Sequence, residues 1–280
     1  MDNRPIGVFD SGMGGLTAVR ELAALLPHEQ LIYFGDTGRV PYGGRSRNTI
    51  IRYARQDVAF LRSFDLKAIV VACGTVSTTA LPILQAEAEG FPIFGVVEPT
   101  ARQAADATRN GKIGLIATRA SIRTGAYQAV ITRLRPEAQV SALACPLFVP
   151  LVENGRFRQG ENGRTQPGDV VIETVAAEYL APLKAEGVDT LVLGCTHYPL
   201  LKEVIRNFMG ADVTLIDSGA AVAQQLCGYL QEQDLAAEES QVGTCRWDVS
   251  DSTANFGSLA SRFLGRPVTE PVEQVSLEGE

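Results

Sequence analysis

Two cysteines stand in matched settings. Cys73 ends the apolar run Val70-Val71-Ala72, and Cys195 follows Leu191-Val192-Leu193-Gly194. Thr75 comes soon after the first, Thr196 directly after the second, and His197 next. The sequence then predicts a helix in each case, Ser77 to Ala88 and Leu200 to Met209. A strand that delivers a side chain beside a helix N-terminus is where open α/β sheets do chemistry. The free N–H groups there favour a thiolate or a bound carboxylate. A lone thiol in such a run is commonly a buried cysteine without chemistry. Two in like settings, about half a chain apart, point instead to one small-molecule site with a thiol on each side.

Two facing thiols suit a reaction that is symmetric about one carbon. Stereoinversion at an acidic C–H is such a reaction: one thiolate removes the proton and the opposite thiol delivers another. The base must lie within hydrogen-bond reach of the proton it takes. A free thiol titrates near about pH 8.5, and neighbours tune that value. Asp10 is the candidate partner on the Cys73 side, and His197 and Glu153 on the Cys195 side. Ser11, Thr75, Thr196 and the Tyr42-Gly43 backbone can bind a carboxylate or an ammonium group. Each has a plainer reading: Asp10 as a turn or helix cap, the hydroxyls as caps, His197 as a structural hydrogen bond, Glu153 as a solvated loop residue.

The elements that must position these residues alternate between strand and helix. Pro5 to Phe9 reads as a strand, followed by the turn Asp10-Ser11-Gly12-Met13-Gly14-Gly15 and a helix from Leu16 to Leu26. Leu31 to Phe34 is a second strand, ending at Gly35-Asp36-Thr37. The Pro and Gly content of residues 40–46 predicts an irregular loop. Thr49 to Phe64 is helical, and Ala68 to Ala72 is the first cysteine strand. Ile93 to Val97 is a strand ending at Glu98-Pro99, and Thr100 to Thr108 is a helix. Lys112 to Ala117 repeats the pattern of the first strand, and Val140 to Ala144 is a further strand. Arg156 to Gly168 reads as a loop and Val170 to Lys184 as a helix before the second cysteine strand. Val213 to Ile216 then leads to Asp217-Ser218-Gly219, which repeats Asp10-Ser11-Gly12. The chain therefore reads as internally duplicated, two similar α/β lobes. Cys245 to Val249 is an edge strand and Ala254 to Leu264 a last helix. The polar, acidic, Pro-containing residues 266–280 are expected to be a disordered tail.

Composition narrows the function. With 280 residues there is length for two domains. The net charge of −7 and pI near 5.1 argue against a nucleic-acid or anionic-membrane surface as the main function. The cluster Arg39, Arg45, Arg47 and Arg52 reads as a solvated face or a counter-charge for an anionic ligand. Five cysteines, an odd number with wide spacing and no C-x-x-C, fit neither a disulfide framework nor a zinc site, and the two histidines add no metal motif. A reducing, cytoplasmic setting is expected. The chain enters Ile6-Gly7-Val8-Phe9 almost at once, which leaves no room for a signal peptide, and no apolar run reaches the length of a membrane span. One competing reading comes from Gly12-Met13-Gly14 between a strand and a helix. It approaches a dinucleotide-binding fingerprint, with Asp36 where a ribose-binding acid sits, but Thr17 occupies the third glycine position. That reading makes the protein a nucleotide-dependent oxidoreductase. A third makes it a two-lobed binding protein without turnover.

Several blocks resemble the glutamate racemases of the cofactor-independent aspartate/glutamate racemase superfamily. They are Gly7 to Leu16, Tyr33-Phe34-Gly35-Asp36-Thr37, Arg39-Val40-Pro41-Tyr42-Gly43, Arg45-Ser46, Ala72-Cys73, Gly95-Val96-Val97-Glu98-Pro99, Pro150-Leu151-Val152-Glu153 and Gly194-Cys195-Thr196-His197-Tyr198-Pro199-Leu200-Leu201. Phe256 to Gly265 resembles the family's C-terminal end. The resemblance implies two pseudo-symmetric α/β lobes, each a mostly parallel sheet flanked by helices, with the active site in the cleft between them. It implies a discontinuous first lobe, residues 1–98 plus 217–265, a second lobe, 99–216, and a homodimer. It implies interconversion of L- and D-glutamate for peptidoglycan, with neither pyridoxal phosphate nor metal. The resemblance favours glutamate over aspartate, the alternative substrate in the superfamily. Cys73 and Cys195 would exchange the proton, and Asp10-Ser11, Tyr42-Gly43, Gly74-Thr75 and Thr196-His197 would bind substrate. The family usually has asparagine where this chain has Gly74, so an amide that could hydrogen-bond substrate is missing.

Overall fold

The computed structural model describes residues 1–159, 165–166, 169–254 and 256–277. From the N-terminus the chain forms β1 (Ile6–Asp10), α1 (Leu16–Leu25), β2 (Leu31–Gly35), a 3₁₀ turn at Tyr42–Gly44, α2 (Arg47–Leu61) and β3 (Ala68–Val71). Then come α3 (Gly74–Thr79), α4 (Leu81–Glu87), β4 (Ile93–Gly95), α5 (Val97–Ala107) and β5 (Lys112–Ala117). The next stretch holds α6 (Arg119–Thr124), α7 (Ala126–Leu134), β6 (Gln139–Ala144), α8 (Phe148–Glu153) and the short strands β7 (Arg158–Gln159) and β8 (Thr165–Gln166). It continues with α9 (Val170–Glu186), β9 (Thr190–Leu193), a 3₁₀ turn at Tyr198–Leu201, α10 (Lys202–Met209) and β10 (Thr214–Asp217). Last are α11 (Ser218–Glu232), β11 (Cys245–Val249), α12 (Phe256–Leu264) and β12 (Val272–Gln274).

Two parallel sheets result. The first has the order β12-β11-β2-β1-β3-β4 and the second β10-β9-β5-β6. Every residue of β1, β3 and β9 is buried. Strands buried along their whole length are what a parallel sheet covered on both faces requires. In the first sheet the chain runs from β1 to β2 on one side and reaches β3 on the other. In the second, β6 and β9 flank β5 in the same way. Each sheet thus has a topological switch point, the place where α/β sheets open a crevice at their strand ends. Asp10 ends β1 and Cys73 follows β3 at one crevice. Thr118 follows β5 and Cys195 follows β9 at the other.

The core is continuous between the sheets. Val8 and Val70 of the first belong to the same buried cluster as Ile116 and Leu193 of the second. Helix α1 packs on α11, so the chain's return from the second sheet seals the first. Trp247 on β11 is fully buried, with its ring 6.1 Å from Tyr33 and 6.2 Å from Phe256.

Several local expectations change. Residues 266–280 were expected to be disordered, yet β12 pairs with β11 in register, Trp247 opposite Val272. Val272, Val275 and Leu277 pack on the core and complete an otherwise open sheet edge; residues 278–280 lie outside the described residues. The helix expected from Ser77 to Ala88 begins earlier, immediately after Cys73, and breaks at Ala80. Pro82 lacks the N–H that would have continued it. The 40–46 loop contains a 3₁₀ turn, closed by Arg45 N–H donating to the Tyr42 carbonyl at 2.9 Å. Part of the expected 156–168 loop forms the antiparallel pair β7–β8; residues 160–164 and 167–168 lie outside the described residues. Glu98 does not end a strand. It sits in the first turn of α5 and pairs with Arg102 and Arg133.

One buried ion pair ties the chain's beginning to the segment after α11. Lys67 Nζ lies 2.6 Å from Glu29 Oε2, with both side chains buried, and reaches the carbonyls of Asp2 at 2.7 Å and Leu235 at 2.8 Å. Lys67→Met leaves the Glu29 charge buried without its partner. It should cost about 3–5 kcal/mol of unfolding free energy in a urea titration.

Candidate active site

The candidate catalytic and substrate-binding residues, Asp10, Ser11, Tyr42, Gly43, Cys73, Gly74, Thr75, Glu153, Cys195, Thr196 and His197, border one cavity of about 360 Å³. The structure places Asp10, Ser11, Tyr42, Gly43, Cys73, Gly74 and Thr75 on its first-sheet side, and Glu153, Cys195, Thr196 and His197 on its second-sheet side. The sequence reading missed Thr118, Arg119, Pro146 and Val149, which also line it. Thr118 was within reach: it directly follows β5, the strand whose pattern repeats that of β1, at whose end Asp10 stands.

The two sides touch through small groups. Gly14 has the Thr196 hydroxyl and the His197 ring where a side chain would be, with His197 Nδ1 2.6 Å from the position of a Cβ. Thr17 Oγ1 donates toward the Thr196 carbonyl at 2.9 Å. The glycine turn therefore docks the second cysteine loop. Its Gly12 N–H is already given to Asp10 Oδ2 at 3.0 Å. Asp36 also fails the nucleotide reading: it is fully buried and accepts from Arg39, Tyr42 and Ser250. Of the four clustered arginines, Arg45, Arg47 and Arg52 are exposed, and Arg39 turns inward to this acid.

Gly74 makes a second close approach. A Cβ there would stand 2.6 Å from the carbonyl oxygen of Gly194. The residue where the resembled family has asparagine is thus a backbone-to-backbone contact between the two cysteine loops. Nearby, the Thr75 and Thr118 hydroxyls meet at 3.0 Å across the sheets.

The surroundings of the two thiols differ. Burial and then the charge of Asp10 push the Cys73 thiol up to about 12, against the opposing hydrogen bond to Ser11. Cys73 donates to Ser11 Oγ at 3.2 Å. Asp10 is itself raised by burial, although His197 and the Gly15 and Gly12 amides oppose that. On the other side, Cys195 Sγ lies 3.9 Å from His197 Nδ1, and His197 Nε2 lies 3.0 Å from Glu153 Oε1. Burial lowers the imidazole, but the bonds to Cys195 and Glu153 outweigh it and raise His197 to about 10. At neutral pH Cys73 is a thiol with a proton to give, and Cys195 faces an imidazolium counter-charge. Tyr198 fixes this loop by donating to the Cys145 carbonyl at 2.9 Å, and Phe263 of α12 presents its ring edge-on to His197 at 5.5 Å. Asp217, which repeats the Asp10 motif, accepts from Gly219 N–H at 2.8 Å and pairs with Lys202, away from the cavity. Among the described residues no cluster of His, Cys, Asp and Glu has the arrangement of a metal site. No described helix is long and apolar enough to cross a membrane.

The raised imidazole sets a pH window. Its proton contributes stability in full below pH 6.5, and that contribution fades as the pH climbs to about 10. The gap in thermal midpoint between wild type and His197→Asn should therefore narrow over that range. A gap that does not change with pH would contradict the charged pair. Gly14→Ala drives a methyl group into Thr196 and His197. It should cost about 1–3 kcal/mol of stability and reduce turnover of any substrate held between the thiols.

Comparison with known proteins agrees with this geometry. The model of the Asp/Glu/Hydantoin racemase family matches residues 16–226. The glutamate racemase of Geobacter metallireducens is 46% identical over 277 residues, covering 99% of this chain and 98% of that protein. The crystal structure of Francisella tularensis glutamate racemase in complex with D-glutamate superposes with a TM-score of 0.88 at 37% identity, covering 99% of both chains. A Bacillus anthracis glutamate racemase isoform gives a TM-score of 0.91 at 37% identity over the full length of both. A match over most of the chain, together with paired cysteine loops at two switch points, establishes that the protein belongs to the Asp/Glu/Hydantoin racemase family.

Proposed function

We propose that the protein is a glutamate racemase, interconverting L- and D-glutamate and so supplying D-glutamate for peptidoglycan. One observation carries the reading. Two buried thiols, each delivered by the strand end at its sheet's switch point, border one cavity, and one is kept protonated while the other faces an imidazolium. The cavity of about 360 Å³ lies at the small end of ligand pockets, the size an amino acid needs.

The chemistry runs in two proton transfers. Cys195 as thiolate takes the α-proton, and the C–H electron pair stays on the substrate, spread into the α-carboxylate. Cys73 gives its own proton to the opposite face of that carbon, leaving a thiolate on Cys73 and a thiol on Cys195. The reverse direction exchanges the roles. Glu153 holds the His197 ring with Nδ1 toward the Cys195 sulfur. The Ser11, Thr75 and Thr196 hydroxyls and the Tyr42-Gly43 backbone bind the substrate's charged groups, and hydrogen bonds to charged groups contribute about 1.5–3 kcal/mol each. The reaction needs no redox partner, because the electron pair never leaves the substrate and the proton taken by one thiol is replaced by a proton from the other.

The same reading divides the chain into residues 1–98 plus 217–265 and residues 99–216, and takes a homodimer as the assembly, which sedimentation of the full chain measures. A reducing cytoplasm accords with five unpaired cysteines.

Proton NMR in D2O tests the function. With no cofactor added, L-glutamate and D-glutamate should each lose the α-proton signal and racemise. Cys73→Ala and Cys195→Ala should each reduce racemisation by at least about 100-fold, the span of a lost acid or base. Retention of the α-proton by wild type with both enantiomers would overturn the reading.

A further inference from the structure

Tyr42 borders the cavity beside Gly43, but its phenol is engaged elsewhere. The hydroxyl meets Asp36 Oδ2 and lies 3.1 Å from Asp57 Oδ2. Neither aspartate lines the cavity, and both are fully buried. Arg39 spans the same two acids, with Nε 2.7 Å from Asp36 Oδ2 and Nη2 2.8 Å from Asp57 Oδ1. The four side chains close a ring that joins the loop after β2 to helix α2. From outside, the Arg39 guanidinium stacks 4.2 Å from the centre of the Tyr53 ring, and Nη1 lies 2.5 Å from Gln56 Oε1.

The charges of this ring balance only if it keeps one extra proton. One guanidinium faces two carboxylates, and a second uncompensated charge in a buried site is expensive. Asp36 already accepts from Tyr42, Arg39 and Ser250 Oγ, the last at 2.7 Å. Asp57 is the group whose carboxyl is pushed well above the ordinary range, first by burial and then by the Asp36 charge. The Tyr42 hydroxyl has one hydrogen and two carboxylate oxygens in reach, Asp36 Oδ2 and Asp57 Oδ2; a proton on Asp57 lets that carboxyl donate to the Tyr42 oxygen while Tyr42 donates to Asp36. Each hydrogen then has one acceptor, and Tyr42 has a single orientation.

We propose that Asp57 is a positioning residue for substrate affinity: through the ring Asp36–Arg39–Asp57–Tyr42 it holds the Tyr42-Gly43 wall of the cavity in its binding geometry. The proposal rests on the glutamate reading of the site. It assigns a role to a buried acid that touches neither substrate nor thiol, and it places that role in binding, since the ring meets the wall and not the cysteines.

Steady-state kinetics with both glutamate enantiomers, read by α-proton exchange, separates KM from kcat. Asp57→Asn keeps a donor for the Tyr42 oxygen and an acceptor for Arg39, so its KM should stay within about twofold of wild type. Asp57→Ala opens the ring, and its KM should rise about tenfold or more with kcat within about threefold, the pattern of lost binding. Tyr42→Phe keeps the ring stacking and removes the bridging hydroxyl; it should raise KM by a similar factor. An unchanged KM in Tyr42→Phe overturns the proposal, as does an Asp57→Asn variant with KM raised as far as that of Tyr42→Phe. These two variants decide the matter even if Asp57→Ala does not fold. Absence of exchange in wild type would sink the glutamate reading. Exchange in wild type with flat KM across the variants would sink the ring alone.

Discussion

The site depends on how closely two polypeptide backbones come together. Gly74 lies against the Gly194 carbonyl, and Gly14 lies against Thr196 and His197. At both places a single carbon atom more would collide. Glycine is the only residue that permits such approach, and here it sits at both cysteine loops. Without these contacts the two sheets would carry their thiols as separate crevices, each with half of the chemistry. With them, the two switch points become opposite walls of one small chamber.

Electrostatic inequality follows from that closure. Both thiols are buried, and their neighbours differ. The first is left beside a carboxylate, which opposes ionisation. The second is left beside an imidazolium anchored by Glu153. For the proposed two-thiol reaction this is an asymmetric resting state, in which a turnover in one direction would leave the charges arranged for the other.

Much of this was legible in the sequence because it is written in local patterns. The cysteine strands, the Asp-Ser-Gly repeat and the Gly-Cys-Thr-His block each lie within a few residues, and all of the candidate site residues fall on one cavity. What was illegible depended on partners distant in sequence. Val272, Val275 and Leu277 look like a solvated tail until the edge of β11 is seen to need a partner. Helix α8 carries Glu153 yet contains Pro150, which masks its period. Gly12-Met13-Gly14 reads as a phosphate loop by spacing alone. Its packing against His197 shows that the glycines serve a protein contact. Asp57 gave no signal, since a lone acid in an amphipathic helix is ordinarily taken to face solvent; its burial comes from Arg39 and Tyr42, up to eighteen positions earlier in the chain.

The strand order has a consequence for how the chain is made. The second sheet is complete once Asp217 has left the ribosome, whereas the first waits for β11 and β12, which end at Gln274. Translation at about 5–20 residues per second leaves a gap of several seconds. During that interval β2 has an open edge, and α1 has only just met α11. The half that begins the protein is therefore the last to close, and a nascent chain passes through a state with one finished half and one exposed strand. Rapid capture of that edge by the chain's own terminus, ahead of any neighbouring chain, is a condition for a productive yield.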